Sequence, residues 1–121
     1  MSQVKGRLRT SLSRWASSAH MDARELQIDT AKAGCRLIAE AKDRDRVELR
    51  GSIRTVTLRP RGGVPALEAE LYDGSGTITL VWLGRRRIAG IEPGRAVKVE
   101  GRIGLQERTR VMFNPRYELR E

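Results

Sequence analysis

ALEAELYDGSGTITLVWL, residues 66–83, decides the fold. Leu67, Ala69 and Leu71 alternate with Glu68, Glu70 and Tyr72, the period of two that turns one face of a strand to a core and the other to water. Asp73, Gly74, Ser75 and Gly76 then supply residues that tolerate positive φ, as a hairpin requires. The chain returns as TITLVWL, with Ile78, Leu80 and Trp82 on one side and Thr77, Thr79 and Val81 on the other.

Outward from this hairpin the same period continues. In RVELRGSIRTVTLRP, residues 46–60, Val47, Leu49 and Ile53 alternate with Glu48, Arg50, Ser52 and Arg54, and Gly51 lies where a long strand must curl. RPRGGVP, residues 59–65, is a turn rich in breakers. After the hairpin, GRRRIAGIEPG places Ile88 and Ile91 three apart before a Pro-Gly stop, which predicts a short helix. RAVKVEGRI is a fourth strand with Val97, Val99 and Ile103 inward and Gly101 at a bend, and LQERT is a polar loop. RVMFNPRYEL is a fifth strand with Val111 and Phe113 inward, ended by Pro115. The expected fold is mainly β: a five-stranded OB-fold barrel over residues 46–119, with a short helix between strands three and four.

Residues 22–42 contain many helix formers and no proline, and Asp22 with Glu25 makes a capping box, so a helix is expected to precede the barrel. The alternating charges of KDRDR make a hinge of its end, giving a helix-and-hinge segment over residues 22–45. Residues 1–21 form a basic arm. Val4, Leu8, Leu12, Trp15 and Ala19 recur at helical spacing within it, flanked by Lys5, Arg7, Arg9 and Arg14 and by no acid. A flexible basic arm, a helix that docks on a partner or membrane surface, and an organellar transit peptide all fit this composition.

The chain carries 24 Lys and Arg against 15 Asp and Glu, a formal charge of +9, and its pI is near 10.9. The surplus lies in the arm and in the part after residue 45, and a polyanion is the first partner such a balance suggests. The competing reading is that these arginines merely solvate the surface. A lone Cys35 makes neither a disulfide nor a cysteine zinc site, and a lone His20 offers no nucleophile–base pair, so no metal, cofactor or enzymatic activity is expected. DGSG lacks the lysine and following helix of a phosphate-binding P-loop. With no long apolar run, the expected location is the cytoplasm, the nucleoid included.

The stretches DGSGTITLVWLG, EPGRAVKVEGRI and VMFNPRYEL resemble the OB-fold wedge of RecG-type branched-DNA helicases and, more closely, small stand-alone actinobacterial OB-fold proteins introduced by a helical segment. The resemblance covers about residues 46–119 and rests on the order of turn, helix and Pro-Gly along the domain. It implies that single-stranded or branched nucleic acid lies on the face of the second and third strands, between the loops after strands one and four. Carried onto this sequence, it implies contacts from Arg59 and Arg61 in the first loop, Arg108 and Arg110 in the loop after strand four, and Arg85, Arg86 and Arg87 after strand three. Arg54 and Arg116 lie on neighbouring strands, and Tyr72 faces outward. Arginine suits phosphate because its planar fork donates paired hydrogen bonds and also stacks on bases.

One departure matters. Single-strand binders stack bases on outward aromatics, each worth roughly 1–3 kcal/mol, yet here only Tyr72 is clearly outward, beside Glu68 and Glu70. Pairing of those acids with Arg50 or Arg54 across strands is expected to neutralise them. Trp82 is expected in the core or at the barrel mouth in preference to serving as a stacking platform, Phe113 is expected in the core, and Tyr117 is expected to cover the barrel end in preference to reaching a base. The expected function is non-catalytic nucleic-acid binding of low sequence specificity through arginine-rich loops, with single-stranded or branched DNA favoured over RNA. The alternative is a protein-interaction module that docks on a larger partner or a membrane through residues 1–19.

Overall fold

The hairpin forms a seven-residue antiparallel ladder, β2 (Ala66–Tyr72) against β3 (Thr77–Leu83), in register from Ala66 opposite Leu83 to Tyr72 opposite Thr77. This is a computed structural model, and it describes residues 23–25, 27 and 35–120. Around the hairpin stand β1 (Arg46–Leu58), β4 (Ala96–Arg102), β5 (Gly104–Gln106), β6 (Thr109–Phe113) and β7 (Arg116–Arg120). They make one sheet in the order β5-β6-β3-β2-β1-β4-β7.

The sheet curls around a single main core. Leu67, Ala69 and Leu71 meet Ile78, Leu80 and Trp82 there, together with Leu49, Ile53, Val97, Val99 and Met112. Full burial of each larger aliphatic chain contributes about 1.5–3 kcal/mol, which fixes the register, since a one-residue slip would turn every such side chain to water. Two glycines permit the curl. A Cβ on Gly51 would stand 2.4 Å from the Tyr72 carbonyl oxygen, and one on Gly101 2.8 Å from Met112 Sδ. The strand register slips between Ile53 and Thr55, so Arg54 is an extra residue that bends β1. The bend changes the inward parity, and Val56 packs on the core while Thr55 and Thr57 face out with Glu70 and Glu68.

The mainly β architecture agrees with the sequence reading, and several finer expectations do not. Seven strands in an open hydrogen-bonded order replace the five-stranded closed barrel. The fourth strand breaks at Ile103, whose N–H and C=O are taken by Asp45 and Arg44 in place of a ladder partner. β4 before the break pairs with β1, and β5 after it pairs with β6, so the two parts of the sheet are joined by the chain itself. The fifth strand breaks at Asn114, which takes φ +49, and β7 crosses to pair with β4.

The expected helix between strands three and four is absent: residues 84–95 are turns. Gly90 and Gly94 have positive φ, and the Ile91 N–H closes one turn on Ile88, burying both isoleucines without a helix. Nor does the preceding helix reach residue 42. Residues 23–25 and 27 are helical, but 35–37 are not, and only a 3-10 turn, Ile38–Glu40, follows. Its Ile38 N–H is captured by Asp73 Oδ2 at 2.8 Å, and the Arg36 N–H by the Glu48 carbonyl, bonds that compete with helical ones. The arm of residues 1–21 and most of the helix expected after it lie outside the described residues.

Candidate nucleic-acid interface

The outer face of β1–β2–β3–β6 is built by strand parity alone. Opposite pairs place Tyr72 beside Thr77, Glu70 between Thr55 and Thr79, and Glu68 between Thr57 and Val81. β6 adds Val111 next to Thr79 and Phe113 next to Val81. Phe113 is therefore 41% exposed on this face, not in the core. In the run Val111-Met112-Phe113 alternation cannot choose the inward residue, and Met112 takes that place while Val111 packs with Ala66 and Val81 on the outer side.

The loop after β1 is a short hairpin. Arg61 and Val64 exchange both amide hydrogen bonds at 2.9 Å, and Gly62 and Gly63 supply φ of +56 and +80 at its tip, the two positive values a tight hairpin turn needs. This geometry swings Arg61 back over β2. Its Nε and Nη2 donate to Glu68 Oε1 at 3.1 and 2.8 Å, and its guanidinium lies 5.4 Å from the centre of the Phe113 ring. Arg59 approaches the other carboxylate oxygen at 3.8 Å. Glu68 is thus neutralised by Arg61 and Arg59, not by Arg50 or Arg54, and its burial follows from this double pairing. Arg54 instead lies over the Tyr72 ring, 3.6 Å from its centre, a cation–π contact. Glu70 has no ion pair or side-chain hydrogen bond among the described residues.

A groove of about 580 Å³ runs across this face from Arg59 and Arg61 on one bank, over Thr79, to Gln106, Glu107 and Thr109 of the β5–β6 hairpin on the other. A smaller hollow of about 170 Å³ continues it over Thr55, Thr57, Glu70 and Thr79. Arg108 stands exposed at the tip of the far bank, where Glu107 and Arg108 have φ of +49 and +68.

Arg85, Arg86 and Arg87 are all exposed and make no ion pair or hydrogen bond with their side chains among the described residues. They begin beside the near bank, because the Gly84 N–H donates to the Pro65 carbonyl at 2.7 Å. No helix starts there, so no helix dipole opposes them. The structure thereby brings Arg59, Arg61 and the triplet to one end of the β2–β3 ladder, with Arg54 and Tyr72 further along the face and Arg108 across the groove.

Two arginines fall elsewhere. Arg110 donates from Nε to the Ala41 carbonyl and from Nη2 to the Ala39 carbonyl, both at 3.1 Å, and so ties β6 to the segment before β1. Arg116 sits opposite Glu100 on the β4–β7 ladder, at the far end of the strand order from β6. Tyr117 meets Trp82 edge-to-face with centroids 5.9 Å apart, and the Trp82 indole donates to the Pro115 carbonyl. Among the described residues no cluster of His, Cys, Asp or Glu has the grouping of a metal site, and no helix is long and apolar enough to cross a membrane.

No family model and no curated protein sequence matches the chain. Among solved structures it is similar to RecG bound to a three-way DNA junction, with a TM-score of 0.61 at 19% identity over 71% of this chain and 12% of that one. It is also similar to a replication protein A heterotrimer bound to single-stranded DNA, with a TM-score of 0.51 at 14% identity over 70% of this chain and 64% of that one. The chain therefore spans a small part of RecG and under two thirds of the replication protein A chain. At these identities the likeness is one of fold, and the curled sheet of this chain is OB-like.

Proposed function

We propose that the chain is a non-catalytic nucleic-acid-binding protein of low overall sequence specificity. It holds the backbone of single-stranded or branched DNA along the groove between the Arg61–Val64 hairpin and the β5–β6 hairpin, and RNA satisfies the same phosphate contacts. The observation that carries this reading is the exposed triplet Arg85, Arg86 and Arg87, which has no acidic partner among the described residues and adjoins Arg59 and Arg61 at the head of the groove. Guanidinium groups left unmatched by the protein's own acids are available to phosphate. Arg54, Tyr72 and Arg108 extend the contact surface along the groove. Arg110 and Arg116 are left out of it, the first because carbonyls hold it and the second because of its place in the sheet.

The likeness to a junction-bound and a single-strand-bound protein supports the class of ligand. The test is fluorescence anisotropy with labelled single-stranded, duplex and forked oligonucleotides at two salt concentrations. Replacing the triplet by R85Q, R86Q and R87Q together should weaken binding by about tenfold or more at moderate salt, since three phosphate contacts are lost. An affinity equal to that of the parent chain would remove the basis for this surface.

A further inference from the structure

The centre of the proposed binding face carries a group that repels phosphate. Glu70 lies midway along β2, flanked across both ladders by Thr55 and Thr79, and its carboxylate borders the 170 Å³ hollow. Its neighbour on the same strand face, Glu68, is matched by two arginines, whereas Glu70 is matched by none among the described residues. An ionised carboxylate is an acceptor only. Whatever settles against it must therefore present N–H or O–H donors, and a deoxyribose-phosphate backbone presents none.

Exposed bases do present them. On its pairing edge an unpaired guanine carries the N1–H and the N2 amino group side by side, two donors that match both oxygens of one carboxylate. Adenine and cytosine offer a single amino group beside an acceptor nitrogen, and thymine one N–H between two carbonyls. Beside Glu70 on the same face, the exposed Arg54 lies over the Tyr72 ring, and a guanidinium group is one on which a base stacks. Arg59 and Arg61 line the near bank of the groove, and an acceptor, Glu70, borders the hollow that continues it.

From this arrangement we infer that Glu70 is a specificity-determining residue: it reads the pairing edge of one unpaired guanine while the surrounding arginines hold the backbone. The inference rests on the proposed nucleic-acid reading and adds a single base preference to it. The guanine must be unpaired, because a base pair already uses those donors, so the preference belongs to single strands and to the open region of a fork.

The experiment measures anisotropy of the full chain with thymine oligonucleotides that carry one central guanine, hypoxanthine, adenine or no substitution. Hypoxanthine lacks the N2 amino group and so removes one of the two bonds without changing charge or stacking. Guanine should bind on the order of tenfold more tightly than hypoxanthine or thymine, the range of a bidentate base contact. That ratio should persist as salt rises while every affinity falls, because no phosphate takes part in it. E70Q, whose folding is checked by its thermal transition, should lose the ratio and bind the thymine oligonucleotide at least as well as the parent. Equal affinity of the parent for all four, or a ratio that survives E70Q, overturns the inference and leaves the proposed function standing. Failure to bind any of the oligonucleotides overturns both.

Discussion

Arg108 shows what the proposed binding surface would cost in stability at a single residue. It and Glu107 form the two-residue turn between β5 and β6 with positive φ, a conformation that costs a residue with a Cβ about 1–2 kcal/mol and that glycine adopts freely. A residue chosen for stability alone would not be arginine. R108G should therefore raise the free energy of unfolding by about 0.5–1 kcal/mol in urea titration, and the same variant should bind oligonucleotide less tightly. A variant that gains neither stability nor loses affinity would show that the turn is unstrained and the cation idle. Arg61 is the opposite case, because Glu68 holds its fork and the near bank of the groove takes its shape from that pair.

At the level of elements, the glycines of β1 and β4 do unequal work. The Cβ of an alanine at 51 would strike a backbone carbonyl that cannot move without opening the β1–β2 ladder, whereas at 101 it would strike the flexible Met112 side chain. G51A should cost about 1–3 kcal/mol in chemical denaturation, and G101A less than half of that, since a methionine finds another rotamer. Equal losses would mean that the two close approaches are equally rigid. The elements legible from sequence were those whose pattern is local. Alternation and the Asp-Gly-Ser-Gly turn sufficed for β2 and β3, and the Gly-Gly tip for the turn before them. The break at Ile103 was not legible, because its amide and carbonyl are taken by residues 44 and 45, nearly sixty positions away. The same holds for Phe113, where three apolar residues in a row leave parity open, and for residues 35–42, where the Asp73 carboxylate takes a helical amide. Of the site, the arginine-bearing loops could be named, but the capture of Arg61 by Glu68 and of Arg110 by two carbonyls could not, since both depend on how the chain folds back.

For the whole molecule the charge balance sets the behaviour in salt. With 24 basic and 15 acidic side chains, binding driven by phosphate contact should show log K falling by about 0.7 per phosphate neutralised on a single strand. The triple glutamine variant at 85, 86 and 87 should flatten that slope by as much as about 2, read from anisotropy titrations between low and moderate salt. An unaltered slope with reduced affinity would assign the triplet a structural task instead. The Asp73 clasp has a practical corollary. Asp73 Oδ2 accepts from the Ile38 amide, Ser75 Oγ from the Ala39 amide and the Gly74 carbonyl from the Gln27 side chain, so all three are held at the tip of the β2–β3 hairpin, while the arginine triplet begins at the other end of β3, about 20 Å away by strand rise. Residue 27 and the triplet thus mark opposite ends of β3: a dye at Gly63 would report a strand arriving at the triplet, whereas one coupled near residue 27 would report its extension as far as Tyr72 and Arg54.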